Sequence, residues 1–285
     1  MIESSDDPAE VLEPIAYLSR SGNRVQVLDS LTETIPKPGL EIPGYEPREL
    51  QDRTGASEAT VNRILNEFQE RGWAERESNG TYAATPVGQG ISIVFASILD
   101  TMDGLQHLGE NAALLPLTEL SIGLQHFRDA TVIRPEGPYR LEMNRYLGEL
   151  TDEASTMYTL GYVPVTQDAM DRVTEQVVSG ELDAGYVQAR AVREYRLTRP
   201  DQTNYREQMR SQLAAGAEIY TYDGHVPCNL WIYDETVIFE NSQVEGIPDG
   251  TMIKSRNETV REWAIELFER YRTASEKTTP ADIPE

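Results

Sequence analysis

The chain of 285 residues holds a single cysteine, Cys228, so no internal disulfide can form, and a reducing, cytoplasmic setting fits that poverty. Lysine is almost as scarce. Lys37, Lys254 and Lys277 are the only three, and arginine supplies the rest of the 25 basic residues. The most apolar run, ISIVFASIL at 91–99, falls far short of the ~20 residues a membrane helix needs. The opening MIESSDDPAE is acidic, the opposite of a secretory leader. No membrane partner is expected.

What the chain has in excess is acid. Asp and Glu number 48, for a formal charge of -23, spread over every segment without a concentrated block. Carboxylates distributed in this way hold hydration where salt has shortened screening to about 3 Å at 1 M, which points to a halophilic cytoplasm. A DNA mimic or a binder of basic partners would instead bring dense acidic runs. Hydrophobic residues at 39% and aromatics at 8% suffice for packed cores. The length asks for two domains.

Helical apolar spacing covers 9–19 and 23–34, where Val25, Leu28 and Leu31 share a face. IPKPGLEIPGYEP (35–47) is a loop by its prolines and glycines. PRELQDRTG (47–55) is a short helix with Pro47 in its first turn and Gly55 at its end. Ser57 can then cap a new helix. In ASEATVNRILNEFQERGW, Val61, Ile64, Leu65 and Phe68 repeat at i, i+3, i+4, i+7 and form a buried face. The opposite face carries Ala59, Asn62, Arg63 and Asn66, groups suited to base edges and phosphates, with Thr60 beside them. WAERE-SNG-TYAAT (73–85) reads as two strands about a turn, with Arg76 and Asn79 placed to touch a minor groove or its phosphates. Arg48 and Ser57 complete the candidate DNA-binding set.

Residues 47–88 resemble the winged-helix domain of archaeal transcription regulators of the MarR, ArsR and TrmB-like type, on the phrase SEATVNRILNEFQERGWAE. The resemblance implies binding of a double-stranded DNA operator. One departure stands out. Residues 45–85 hold five arginines, no lysine and eight acids, a local charge of -3, where such domains are ordinarily basic. The alternative is therefore a winged-helix adaptor that contacts other regulators rather than DNA.

VGQGISIVFASILDTMDGLQHL (87–108) places Ile91, Val94, Ile98, Leu105 and Leu108 in an a/d register, the seam of a helix pairing with its twin in a homodimer. The competing reading packs this helix on its own chain.

From about 117 strands and helices alternate: strands near 129–135, 156–164, 181–187, 217–224 and 251–255, a hairpin at 229–241 about Asp234-Glu235, and helices at 138–150, 166–180, 188–197, 203–216 and 256–272. Trp231 and Tyr233 read as the core and surface faces of one strand. The segments AEIYTYDGHVPCNLWIYDETVIF and IKSRNETVREWAIELFERYR resemble the effector domain of haloarchaeal winged-helix regulators related to the methanogenesis regulator family. That resemblance implies a fold similar to phospholipase D and the TrmB sensor. The phospholipase chemistry needs His, Lys two residues later and Asp five beyond; His107, His126 and His225 are followed two on by Gly109, Arg128 and Pro227. Without those carriers the domain is expected to sense or dimerise rather than catalyse. His225 and Cys228 lack the second pair a structural zinc site requires, so no metal is expected. No phosphate-cradling or dinucleotide glycine motif points to a cofactor. Arg134, Arg190 and His225 flank strands and could meet an anionic or sugar-like effector, although surface ion pairing is the plainer role.

The expected fold class is α+β. A winged helix-turn-helix spans 1–86, a linker and dimerisation helix 87–115, an α/β effector domain with a mixed sheet 116–273, and a flexible tail 274–285.

Overall fold

The computed structural model describes residues 8–32, 44–135, 139–161, 166–198, 203–241 and 250–284. They cluster into two compact units, one through Asp100 and one from Thr101. Most of the proline-rich stretch read as a loop lies outside the described residues.

The first unit runs α1 (Pro8–Ser19), α2 (Gly22–Thr32), α3 (Pro47–Thr54), α4 (Glu58–Glu70), β1 (Ala74–Arg76), β2 (Tyr82–Ala84) and the start of α5 (Pro86–Leu108). Pro47 opens α3 with a capping box between Glu46 and Glu49, and Gly55, at φ 67, closes it in the left-handed region. Ser57 then caps α4, its hydroxyl accepting from the Thr60 N–H at 3.3 Å. Val61, Ile64, Leu65 and Phe68 are fully buried against Leu18, Leu28, Leu31, Leu50 and Trp73. Each such side chain contributes about 1.5–3 kcal/mol of burial, which sets the rotation of α4 and hence the face it turns outward. β1 and β2 pair antiparallel from Ala74↔Ala84 to Arg76↔Tyr82, and Tyr45 adds a bridge to Tyr82 through two 2.9 Å backbone hydrogen bonds. Gly88 lets α5 start close under this hairpin, since a Cβ there would lie 2.0 Å from the Trp73 carbonyl oxygen.

The second unit holds the end of α5, then β3 (Thr131–Ile133), α6 (Tyr139–Glu153), β4 (Thr156–Gly161), α7 (Gln167–Ser179), β5 (Asp183–Ala189), α8 (Arg190–Thr198), α9 (Thr203–Ala214), β6 (Glu218–Tyr222), β7 (Asn229–Tyr233), β8 (Thr236–Glu240), β9 (Met252–Ser255), α10 (Glu258–Thr273) and β10 (Glu276–Lys277). The eight strands lie in the order β10-β6-β5-β4-β7-β8-β9-β3. β4, β5 and β6 are parallel and the remaining pairs antiparallel, so the sheet is mixed and the chain is α+β. On one face α10 packs Trp263, Leu267 and Phe268 against Val187, Leu230 and Phe239. On the other, α6 and α7 pack Met143, Leu147, Val173 and Val177 against Met157, Ala184 and Trp231. Tyr205 and Met209 of α9 cover Ile219 beside them.

Covering both faces corrects one expectation. Trp231 and Tyr233, two residues apart, share a face, and both are buried. All of β7 and β8 is buried for the same reason. The tail is a second correction. Glu276↔Thr221 and Lys277↔Tyr220 pair it antiparallel to the outer edge of β6, Thr278 donates to the Ile219 carbonyl at 2.7 Å, and Ile283 is buried with Leu197 and Met209. An apolar anchor and an open strand edge hold a stretch whose composition alone suggested fraying.

The seam expected on α5 is divided. Leu108 is buried in the core of the second unit and Leu105 packs against it. Ile91 packs against the core of the first unit, where Phe95 is buried. Those three positions are spent on their own chain, because a helix joining two units is pulled upon by both cores. Ile98 is half-buried, and Val94 stays more than half exposed.

Candidate functional site

With four apolar side chains of α4 fixed inward, Ala59, Arg63 and Asn66 stand exposed, and Thr60 and Asn62 are partly so. Arg48, Glu58, Asn79 and Gly80 line one open groove, so the starts of α3 and α4 and the tip of the hairpin converge. Asn62 and Asn66 offer amides able to donate and accept at base edges. Arg48, in the first turn of α3, and Arg76, at the end of β1, are exposed and make no ion pair among the described residues. Arg76 leans toward the Tyr82 ring at 5.8 Å.

Other members of the set have work within the fold. Ser57 and Thr60 join their hydroxyls at 2.9 Å as part of the α4 cap. Asn79 builds the hairpin turn, its Oδ1 accepting from the Thr81 N–H at 3.0 Å and the Thr81 hydroxyl at 2.7 Å. Arg63 donates to Glu67 Oε1 at 2.7 Å, one helical turn along. Glu67 was missed by sequence reasoning, and it is a junction. Its other oxygen accepts from Arg24 at 3.2 Å and from the Tyr17 hydroxyl, linking α1 and α2 to the outward face of α4. The Tyr17 hydrogen bond, followed by Arg63 and Arg24, holds the Glu67 carboxyl below the ordinary carboxylate range despite partial burial. Burial and that same bond push Tyr17 up to about 12, so it remains a donor. The i,i+4 spacing of Arg63 and Glu67 is readable in sequence. The partners from α1 and α2 are not.

The second unit encloses a cavity of about 90 Å³ at the carboxyl ends of β4 and β5, on the face covered by α6, α7 and α9. In a parallel sheet this is where ligands gather. Leu147, Met157 and Trp231 form apolar wall, and Asn144, Gln188 and Arg196 are polar wall. None of the three residues expected to meet an effector lines it. Arg134 is exposed and donates to Asn111 at 3.3 Å. Arg190 pairs with Asp223 at 3.3 Å and Glu276 at 2.8 Å, the surface role weighed for it. His225 is an exposed loop residue. Flanking a strand in sequence does not say on which side of the sheet a side chain ends, and the outer edge β10 recruits Arg190 away.

The histidines do not assemble either. His107 Nε2 bonds the Ala130 carbonyl at 2.6 Å. Among the described residues no group of three or more His, Cys, Asp or Glu is placed to hold a metal. Cys228 is buried, and burial, followed by Glu240 and Glu119, drives its thiol far up and leaves it unreactive. No helix among the described residues is long and apolar enough to cross a membrane.

No curated protein matches the chain. Among solved structures, TrmBL2, an archaeal chromatin protein described as showing a novel mode of DNA binding, is 15% identical, with 96% of this chain and 100% of that one covered at a TM-score of 0.40. The O-methyltransferase NcsB1 from neocarzinostatin biosynthesis, in complex with S-adenosyl-L-homocysteine, is 10% identical over 76% of this chain and 84% of that one, at 0.26. Two family models do match. Residues 12–106 match the HVO_A0261 N-terminal domain, and residues 141–274 match the middle domain of the methanogenesis regulatory protein FilR1. Residues 12–106 thus carry an HVO_A0261-type N-terminal domain, and residues 141–274 a middle domain of the kind found in the methanogenesis regulatory protein FilR1.

Proposed function

We propose that this regulator binds a double-stranded DNA operator through α4 and the β1–β2 hairpin, as a homodimer in a saline cytoplasm, and that its second unit responds to a small effector. The observation that carries the reading is the division of α4: one face wholly buried, the other presenting Ala59, Asn62, Arg63 and Asn66, with Arg48 and Arg76 unpaired nearby among the described residues. Asn62 and Asn66 read base edges in the major groove, Arg48 and Arg76 hold phosphates, and Arg63 reaches DNA by exchanging Glu67 for a base or phosphate. A homodimer is supported by the exposed apolar side chains of α5, Val87, Ile93, Val94, Leu99 and Met102, which a second copy would cover. Sedimentation in molar salt reads that state, and a monomer at micromolar concentration removes it.

Crosslinking with sequencing, followed by gel shifts on the enriched sites, tests the DNA assignment. Arg63→Ala is expected to weaken binding by about 1–3 kcal/mol if the side chain reads a base. An unchanged shift overturns that role. The net acid of the first unit favours a second reading, an adaptor that docks on another regulator without touching DNA. Absence of enriched sites in any growth condition would select it.

A further inference from the structure

Several side chains on the wall of the cavity are polar where packing alone would favour apolar ones. On α6, Asn144, Leu147, Gly148 and Thr151 fall at i, i+3, i+4, i+7 and all line the cavity. Asn144 thus sits on the buried stripe of its helix, and its amide makes no hydrogen bond among the described residues. On β4, Met157 and Thr159 share the face that turns to the cavity. Thr159 is in register with Tyr186 of β5 on one side and with Trp231 of β7 on the other. Neither the Thr159 nor the Tyr186 hydroxyl has a hydrogen-bond partner among the described residues, and the latter is shut off from solvent. The phenols packed near Tyr186 are engaged elsewhere. Tyr205 donates to Gln188 at 3.1 Å, and Tyr233 meets the Leu147 carbonyl at 3.5 Å. Three neutral polar groups with hydrogen-bonding capacity to spare therefore gather on one cavity. A buried polar group without a hydrogen bond destabilises the fold, so each such group calls for a reason.

We propose that this cavity binds a small uncharged alcohol, its hydroxyl held by the Asn144 amide and the Thr159 and Tyr186 hydroxyls, and its hydrocarbon body against Leu147, Met157 and Trp231. The proposal rests on the reading that the second unit is an effector domain, and names the effector's chemistry. An alcohol hydroxyl has one donor and two acceptor positions. Burial pushes the Tyr186 phenol far up, so it keeps its proton and donates. Thr159 supplies a second donor, and the Asn144 carbonyl takes the alcohol's own proton. The groups in want of a partner are all neutral, and a full charge buried among them would lack the counter-charge it needs. The arginines of the wall do not supply one, since Arg172 pairs with Asp152 and Arg196 has a partner of its own in the chain. An engineered dry cavity of about 150 Å³ takes benzene, so a cavity of about 90 Å³ suits a smaller body, of about three to five carbons.

Calorimetric titration and thermal melting of the full chain in molar KCl test it. The probes are 1-butanol and cyclopentanol, set against their isomers diethyl ether and tetrahydropyran, which accept but cannot donate, and against butyrate and butylammonium. The expected result is saturable binding of at least one alcohol, at least about fivefold tighter than its isomeric ether or either ion. Thr159→Val and Tyr186→Phe each remove a hydroxyl that bonds nothing else in the described chain. Without ligand both variants should melt no lower than the parent, while alcohol affinity falls about 3- to 10-fold. No saturable binding of either alcohol, an ether that binds as tightly as its alcohol, or tighter binding of an ion overturns the proposal. So does an alcohol affinity that neither variant changes. Alcohol binding that leaves operator affinity unchanged upholds the site and instead sinks the reading of the unit as an effector domain.

Discussion

The two units treat their polar groups in opposite ways. Around the outward face of α4 several of the proposed DNA-facing side chains are already engaged: Arg63 with Glu67 on the helix, Ser57 with Thr60 at its cap, and Asn79 with Thr81 in the hairpin turn. In the cavity of the second unit, Asn144 and the Tyr186 hydroxyl have no hydrogen-bond partner among the described residues. An exposed side chain can trade one partner for another at small cost, because water screens the exchange. Behind packed side chains no such exchange is at hand, and a buried group left without a hydrogen bond costs about 1–3 kcal/mol.

The largest test of this contrast is Trp263→Ala. Trp263 is fully enclosed in α10 between Phe127 and Phe239, and its loss should cost the second unit about 3–5 kcal/mol. If the units fold independently, calorimetry will show one transition falling and the other unmoved, and operator sites will still be recognised by the folded first unit. A single transition that falls as a whole shows that the units fold together.

Glu67→Gln has a smaller effect and probes the prearrangement. It weakens the hold on Arg63, so DNA affinity should rise by about 0.5–1 kcal/mol even as the first unit loses some stability. The pH sign follows from the depressed carboxyl. The stability contributed by Glu67 is fully present above the unfolded carboxylate value and is lost as pH falls through the lower folded value. The variant's stability should therefore fall less between those two values in an acid titration. Unchanged acid sensitivity together with unchanged DNA affinity would reduce Glu67 to a bystander.

The smallest effect concerns salt. With five arginines against eight acids over residues 45–85, little counterion release is available to α4 and its neighbours. Operator affinity should fall by less than about tenfold between 50 and 200 mM salt, against the about 10³–10⁵ expected of a protein with six to ten phosphate contacts. A loss in the latter range would show that basic contacts dominate after all.

Periodicity made much of this legible. The 3.6-residue spacing of Val61, Ile64, Leu65 and Phe68 determined which way α4 turns, because burying four large apolar groups outweighs any other local preference. Ser57 and Gly55 marked where one helix stops and the next starts, since capping and left-handed geometry belong to single residues. The alternation of strand and helix after residue 117 gave the class of the second unit. The apolar register of α5 was equally visible, but not its use: a helix shows its stripe without saying whether its own cores or a twin will cover it.

The sequence alone therefore determined the elements, their inward faces and the outward row of α4, all properties that act within a few residues. Tertiary structure decided what depends on distant neighbours. It assigned Leu105 and Leu108 to the chain's own core, drew Glu276 and Lys277 onto the edge of β6, and tied Glu67 to Tyr17 and Arg24. It also gathered Asn144, Tyr186, Gln188 and Arg196 around one cavity and left Arg134, Arg190 and His225 out of it. Those outcomes turn on which groups compete for the same buried space or the same hydrogen bond, a contest settled only when the chain has closed on itself.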